Sequence, residues 1–258
     1  MGAGNIQALK KTLDSFKEIV SEIIYGNMLL FPEDMGVLNY YKLDYNLKVV
    51  DLPFDFIFKN GFSETLNTLA NEASNDLIIY LNTSEVIGID YGMSEIINNN
   101  PKCNSFFFTH SSETFRWFRC YDRRDLKWHG LIHEELQGDY RPYHKPIFQM
   151  QDEEKDMDNA FKAAVFNSTK ECVYWNQLIK IAENPDKYPE TNQGWKTFAK
   201  DTYQSMKDRL EQKGDMYKAI CEGDYKKYMD AVHVFPFETI QFKSDNAIAY
   251  QGDKIHLL

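Results

Sequence analysis

The chain has 258 residues, 43% of them hydrophobic, 15% aromatic and 26% charged, enough apolar material for a substantial core and too much for a disordered polymer. A formal net charge of −10 excludes a global field that would draw the protein to nucleic acid or to an anionic membrane. No run of about 18 apolar residues is present to span a bilayer, and Cys103, Cys120, Cys172 and Cys221 are too scattered for a zinc or redox motif.

The elements follow in chain order. Ile6, Leu9, Leu13, Phe16 and Val20 recur at helical spacing, which predicts an amphipathic helix over 5–20. "SEIIYG" (21–26) reads as a short strand, "FPEDMGVLNYYKLDY" (31–45) as a helix with Pro32 near its first turn, and "LKVVDLPF" (47–54) as a strand stopped by Pro53. "FSETLNTLANEAS" (62–74) predicts a helix with Ser63 as N-cap. The strand "DLIIYL" (76–81) comes next. Helices alternating with strands are the signature of a parallel sheet with crossover helices. Ligands of such sheets bind beyond the carboxyl ends of the strands, where Asn82–Glu85 falls.

The texture then changes. "CNSFFFTHS" (103–111) and "TFRWFRCYDRRDLKWHG" (114–130) are aromatic-rich strand candidates with a turn at Asp122–Asp125. "DYRPYHKP" (139–146) reads as a loop over the cleft that offers Tyr140, Tyr143 and His144 to an acceptor. From residue 152 the pattern is helical, with one stripe through Phe161, Val165, Cys172, Trp175 and Ile179 and another through Ala199, Tyr203, Met206 and Leu210. Residues 237–258 read as a closing β-hairpin. The expected architecture is α/β: a mostly parallel, Rossmann-like sheet with flanking helices over 1–150, and a helical extension over 151–258 suited to homo-oligomerisation or acceptor docking. The scattered cysteines and the absence of an apolar leader in "MGAGNIQALKK" point to a cytoplasmic protein with reduced thiols, in a bacterium or a phage-infected host.

Two blocks carry a resemblance. "FKNGFSETLNTLANEASNDLIIYLNTSEVIG" (58–88) resembles the segment of family-two-type, GT-A-fold glycosyltransferases in which a Phe-x-x-x-x-Asn helix leads to a strand ending Leu-Asp-x-Asp-Glu. "FRWFRCYDRRDLKWHGLIHEEL" (115–136) resembles the same family's second block, where Arg-rich strands lead to Trp-x-Gly-x-x-His-Glu. The resemblance implies a nucleotide-sugar donor, a divalent cation (Mn or Mg) on its diphosphate, and inverting transfer to an acceptor hydroxyl. It assigns the general base to Glu134, with Glu135 as second choice. It assigns donor contacts to Asn67, Asn82, Ser84, Arg116, Arg119 and Trp128, and metal ligation to Glu85 and His133.

The chain departs from the pattern at two places. Asn82 and Ser84 stand where the family has carboxylates, leaving Glu85. Hard cations draw their affinity from anionic oxygens, so any metal site here is weak or formed with the donor. The four polar residues also suit a capped turn. The chain moreover reaches its first helix almost at once, where the family has a strand that contacts the base. The cations between Arg116 and Lys145 are a candidate replacement charge for a diphosphate. A glycan is the expected acceptor. The alternatives are a phage-type enzyme acting on hydroxymethylated DNA bases, and a retired transferase fold used as a binding or scaffold module.

Overall fold

The computed structural model describes residues 2–3, 6–29, 34–53, 55–82, 85–110, 113–132, 134–152 and 160–234. The elements in order are β1 (Gly2–Ala3), α1 (Ile6–Phe16), β2 (Ile24–Leu29), α2 (Met35–Asp44), β3 (Lys48–Asp51), α3 (Phe56–Asn60), α4 (Phe62–Asn71), β4 (Leu77–Ile79), β5 (Glu85–Asp90) and α5 (Met93–Asn99). They continue with β6 (Ser105–His110), β7 (Glu113–Asp122), β8 (Leu126–His129), β9 (Glu135–Gly138), β10 (Pro142–Asp152), α6 (Ala160–Glu183), α7 (Gln193–Gln212), α8 (Gly214–Glu222) and α9 (Tyr225–Val234). The protein is thus mixed α/β, with sheets flanked by helices. No helix among the described residues is long and apolar enough to cross a membrane. The hairpin expected over 237–258 lies outside the described residues.

The chain divides into two compact units, one of Met1–Leu52 with Phe62–Asp156 and the other of Pro53–Gly61 with Met157–Leu258. The first unit holds both sheets that matter here. A parallel sheet runs in the order β1-β2-β3, with Ile24↔Lys48 to Asn27↔Asp51 in register. A strand does therefore precede the first helix: Gly2 and Ala3 pair with Asn27 and Leu29. Helix α1 buries Leu9 and Leu13 in a cluster with Tyr25, Leu38, Tyr41 and Leu47, the outcome its 3.6-residue spacing dictates.

β4 does not continue that parallel ladder. It lies at the edge of a second sheet, β4-β7-β6-β10-β5, paired antiparallel with β7 through Leu77↔Asp122 and Ile79↔Cys120. A cavity of about 420 Å³, lined by residues that include Leu13, Tyr25, Leu69, Ile79 and Met93, lies beside β2 and β4. The second sheet is mixed: β10 runs parallel to β6 and antiparallel to β5. Its core packs Phe106, Phe108, Cys120, Ile147, Phe148 and Met150, with Phe108 and Phe148 edge to face at 5.0 Å.

The loop expected over 139–146 is a strand from Pro142 onward. Pro142 and Pro146 fall at register shifts in the β10–β6 ladder, positions where a residue without an N–H is tolerated. Tyr143 packs against the core, with its ring 6.0 Å from Phe106. His144 is exposed, and the Tyr140 hydroxyl donates to the Leu136 carbonyl.

In the second unit, the five-residue α3 leaves C-terminal carbonyls that no helical turn can satisfy. Side chains of α6 meet them: Asn176 and Gln177 donate to the Phe58 carbonyl at 3.2 and 2.9 Å, and Lys180 donates to Phe58 and Lys59 at 2.8 and 3.0 Å. Burial lowers the Lys180 pKa.

Candidate functional site

After β4, Asn82 and Glu85 are hydrogen-bonded to each other. The Glu85 amide donates to the Asn82 carbonyl at 3.1 Å, and the Asn82 amide donates to Glu85 Oε2 at 2.7 Å. The Asn82 side chain accepts from the Tyr80 hydroxyl at 2.5 Å. Asn82 thus behaves as a turn residue, its side-chain carbonyl engaged inside the protein. Ser84, expected beside it, lies outside the described residues.

Glu85 begins β5 at 3% exposure, and its carboxylate is ion-paired with Arg119, itself 6% exposed. Arg119 reaches it from an irregularity in β7. In the β6–β7 ladder Phe107 pairs with Phe118 and Phe106 with Cys120, so Arg119 is the extra residue at a register shift, and its carbonyl accepts from the Tyr80 amide at 2.8 Å. Such a bulge re-aims a side chain. The simple alternation of faces that sequence spacing assumes fails at this residue. The Arg119 guanidinium also lies 5.2 Å from the centre of the Tyr80 ring, a cation–π contact. Burial holds the Tyr80 hydroxyl protonated well above the usual range.

Glu134 arrives from the other direction. It is half-buried and precedes β9, which pairs with β8 as a hairpin (Trp128↔Leu136, His129↔Glu135). Its pKa is raised by desolvation, partly offset by its own backbone amide and by the positive charge of Arg119. Its charge is felt in turn by Tyr80. The two sequence blocks thus meet at Tyr80 and Arg119: Glu85 of the first is ion-paired with Arg119 of the second, whose positive charge also acts on Glu134. Trp128 is buried, its ring 6.0 Å from Tyr80 and 5.9 Å from Tyr121.

Two asparagines fix the hairpin. Asn67, half-buried on α4, donates to the Trp128 carbonyl at 2.8 Å and accepts from the Trp128 amide at 3.0 Å. Both functions of its amide are therefore committed to backbone rather than turned to a donor. Asn104, 2% exposed, donates to Asp125 Oδ2 at 2.9 Å and to the Asp139 carbonyl at 2.7 Å, and accepts from the Arg141 amide at 2.8 Å. It ties together the chain on either side of β8 and β9. The sequence offers no signal for this role beyond a polar residue inside "CNSFFF".

The remaining expected residues are dispersed or differently employed. Glu135 is exposed, opposite His129. Arg116 pairs with Thr109 through the backbone of β7, while its side chain and all of His133 lie outside the described residues. Part of the basic strip is ion-paired: Arg123 meets Asp76, Arg124 meets Asp76 and Asp122, and Arg141 meets Asp125 and Asp139. The described donors do not fit a resident cation. Glu85 is neutralised by Arg119, Asn82 is engaged with Tyr80, and no group of three or more His, Cys, Asp or Glu is arranged to hold a metal among the described residues.

No family model matches the chain. No curated protein matches it either. Among solved structures, the chain is similar to S. aureus TarS at 8% identity and a TM-score of 0.42, over 91% of this chain and 54% of that one, so it spans about half of that protein's length. It is also similar to TarS residues 1–349, at 7% identity and TM-score 0.43, covering 94% of this chain and 90% of that one. The same fragment in complex with UDP matches at 9% identity and TM-score 0.40, over 93% and 90% of the two chains.

Proposed function

We propose that this protein is a glycosyltransferase that moves a sugar from a nucleotide-sugar donor to an acceptor hydroxyl with inversion, with Glu134 as general base and a glycan as acceptor. The observation that supports the reading is the meeting of the two sequence blocks: Glu85 of the first is ion-paired with Arg119 of the second, Tyr80 packs against Trp128, and the half-buried Glu134 leads into β9 of the same hairpin. In the reaction, the acceptor oxygen bonds to the anomeric carbon as its proton passes to Glu134. The bond from that carbon to the nucleoside diphosphate breaks, and the leaving oxygen keeps the electron pair. Burial suits the base role, because desolvation raises the proton affinity of Glu134. No step is routed through a metal ion, since the described donor set makes no clamp for one. Ion pairing of Arg123, Arg124 and Arg141 favours a glycan over a DNA backbone, which needs unpaired cations along its path.

The test is turnover across a panel of nucleotide sugars, with glycan acceptors and with hydroxymethylated DNA, each with and without manganese. Glu134→Gln is expected to lose about 10²–10⁴-fold in kcat while donor binding persists, and Glu135→Gln serves as its comparison. Transfer to the DNA alone would reassign the acceptor. No turnover and no nucleotide binding at millimolar donor would overturn the enzymatic reading in favour of a binding module.

A further inference from the structure

We infer that Asn67 is the positioning residue of the site, holding Glu134 in place through β8, an inference that rests on the reading of Glu134 as the base. Among the described residues β8 has one strand partner, β9. Its other edge would therefore leave the Trp128 amide and carbonyl unsatisfied inside the protein. The Asn67 amide supplies the missing partner, giving its N–H to the carbonyl at 2.8 Å and its oxygen to the amide at 3.0 Å. One side chain thus imitates one residue of a neighbouring strand.

The consequence for Glu134 follows from the ladder. Trp128 lies opposite Leu136 and His129 opposite Glu135, and Glu134 is the next residue beyond that last pair. Whatever sets the height of Trp128 sets the point from which Glu134 departs. The support behind Asn67 is rigid: its helix neighbours Thr65, Leu66 and Ala70 are buried. At the opposite end of the hairpin Asn104 ties Asp125 to Asp139. The stem is held by one amide and the strand beside the tip by another. A displacement of about 1 Å at a reacting group is enough to lose about 10²-fold in rate, so a loose Trp128 is expressed in the chemical step.

The experiment compares Asn67→Ala and Asn67→Asp with the unaltered protein in donor turnover and in backbone amide hydrogen exchange. Asp keeps the volume and one acceptor but puts a second oxygen against the Trp128 carbonyl, so it remains informative if the Ala variant does not fold. Expected are a fall in kcat of about 10–100-fold with the donor KM unchanged, and faster exchange confined to Trp128 and the β8–β9 residues while β6 and β10 keep their protection. A raised donor KM with kcat retained would overturn the inference and make Asn67 a donor contact. Unchanged kcat and unchanged exchange would also overturn it. If the unaltered protein turns over no donor, the assignment of Glu134 as base falls. Exchange then decides the clamp alone: selective loosening of β8–β9 sustains it, and its absence overturns it.

Discussion

Arg119 is the residue on which the two halves of the site meet, and its chemistry is decided by burial. Its ion pair with Glu85 is almost closed to solvent, with side-chain exposures of 8% and 4%. Removing one member of such a pair leaves an uncompensated charge inside the protein, which costs about 3–5 kcal/mol, whereas removing both charges together is far milder. Arg119→Met is therefore expected to destabilise the protein by that amount in urea denaturation. Adding Glu85→Gln should recover most of the loss, because glutamine still accepts from the Asn82 amide. A single-variant cost near that of an exposed pair, about 0–1 kcal/mol, would show that the carboxylate has water to fall back on. Sequence alone exposes the two carboxylates, since Glu85 and Glu134 stand out in their blocks. It hides what they touch. The bulge at Arg119 arises from a register shift between distant strands, and no local pattern of residues encodes it.

At the scale of elements, legibility follows the range of the interaction that fixes each one. α1 and α4 are readable because 3.6-residue spacing is local, α2 from Pro32 ahead of it, and β3 and β4 because short apolar runs are bounded by Pro53 and by polar residues. The partners of β4 are not, because pairing with β7 joins residues more than forty apart in sequence. α3 is too short for periodicity to register, and the strand at Pro142–Asp152 was masked by prolines that its register shifts accommodate. Of the β8–β9 hairpin only the first strand is legible, inside the aromatic-rich stretch 114–130, and the tightness of its base is not. Gly138 has φ +143, and a Cβ there would lie 2.0 Å from the Asp125 carbonyl oxygen. Gly138→Ala must therefore move backbone at the point where Asn104 gathers Asp125 and Asp139. The strain is on the order of 1–3 kcal/mol, and turnover should fall along with stability because Glu134 sits at the other end of the hairpin. A variant with unaltered melting and unaltered hydrogen exchange at β8–β9 would contradict this account of the hairpin base.

For the whole molecule, the division into units assigns the proposed chemistry and much of the helical mass to different parts of the chain. Tyr80, Glu85, Arg119, Trp128 and Glu134 all belong to the first unit, while Pro53–Gly61 leaves it to join the second. Phe58 explains why so short a segment is held there. Its side chain is buried, with its ring 5.9 Å from Tyr217 and Lys180 Nζ 5.8 Å from its centre, and its carbonyl is met by Asn176, Gln177 and Lys180. Phe58→Ala removes a buried aromatic and leaves a void, at a cost of about 3–5 kcal/mol. That is a large part of the roughly 5–15 kcal/mol by which a domain is stable. The loss belongs to the second unit, so thermal denaturation should show its transition lowered. At temperatures where the variant remains folded, the donor KM and kcat should match those of the unaltered protein, because the partners named for Phe58 belong to the second unit and the residues of the proposed site to the first. A variant that keeps its melting behaviour but loses turnover would invert this assignment and place Phe58, and the segment around it, in the service of the reaction.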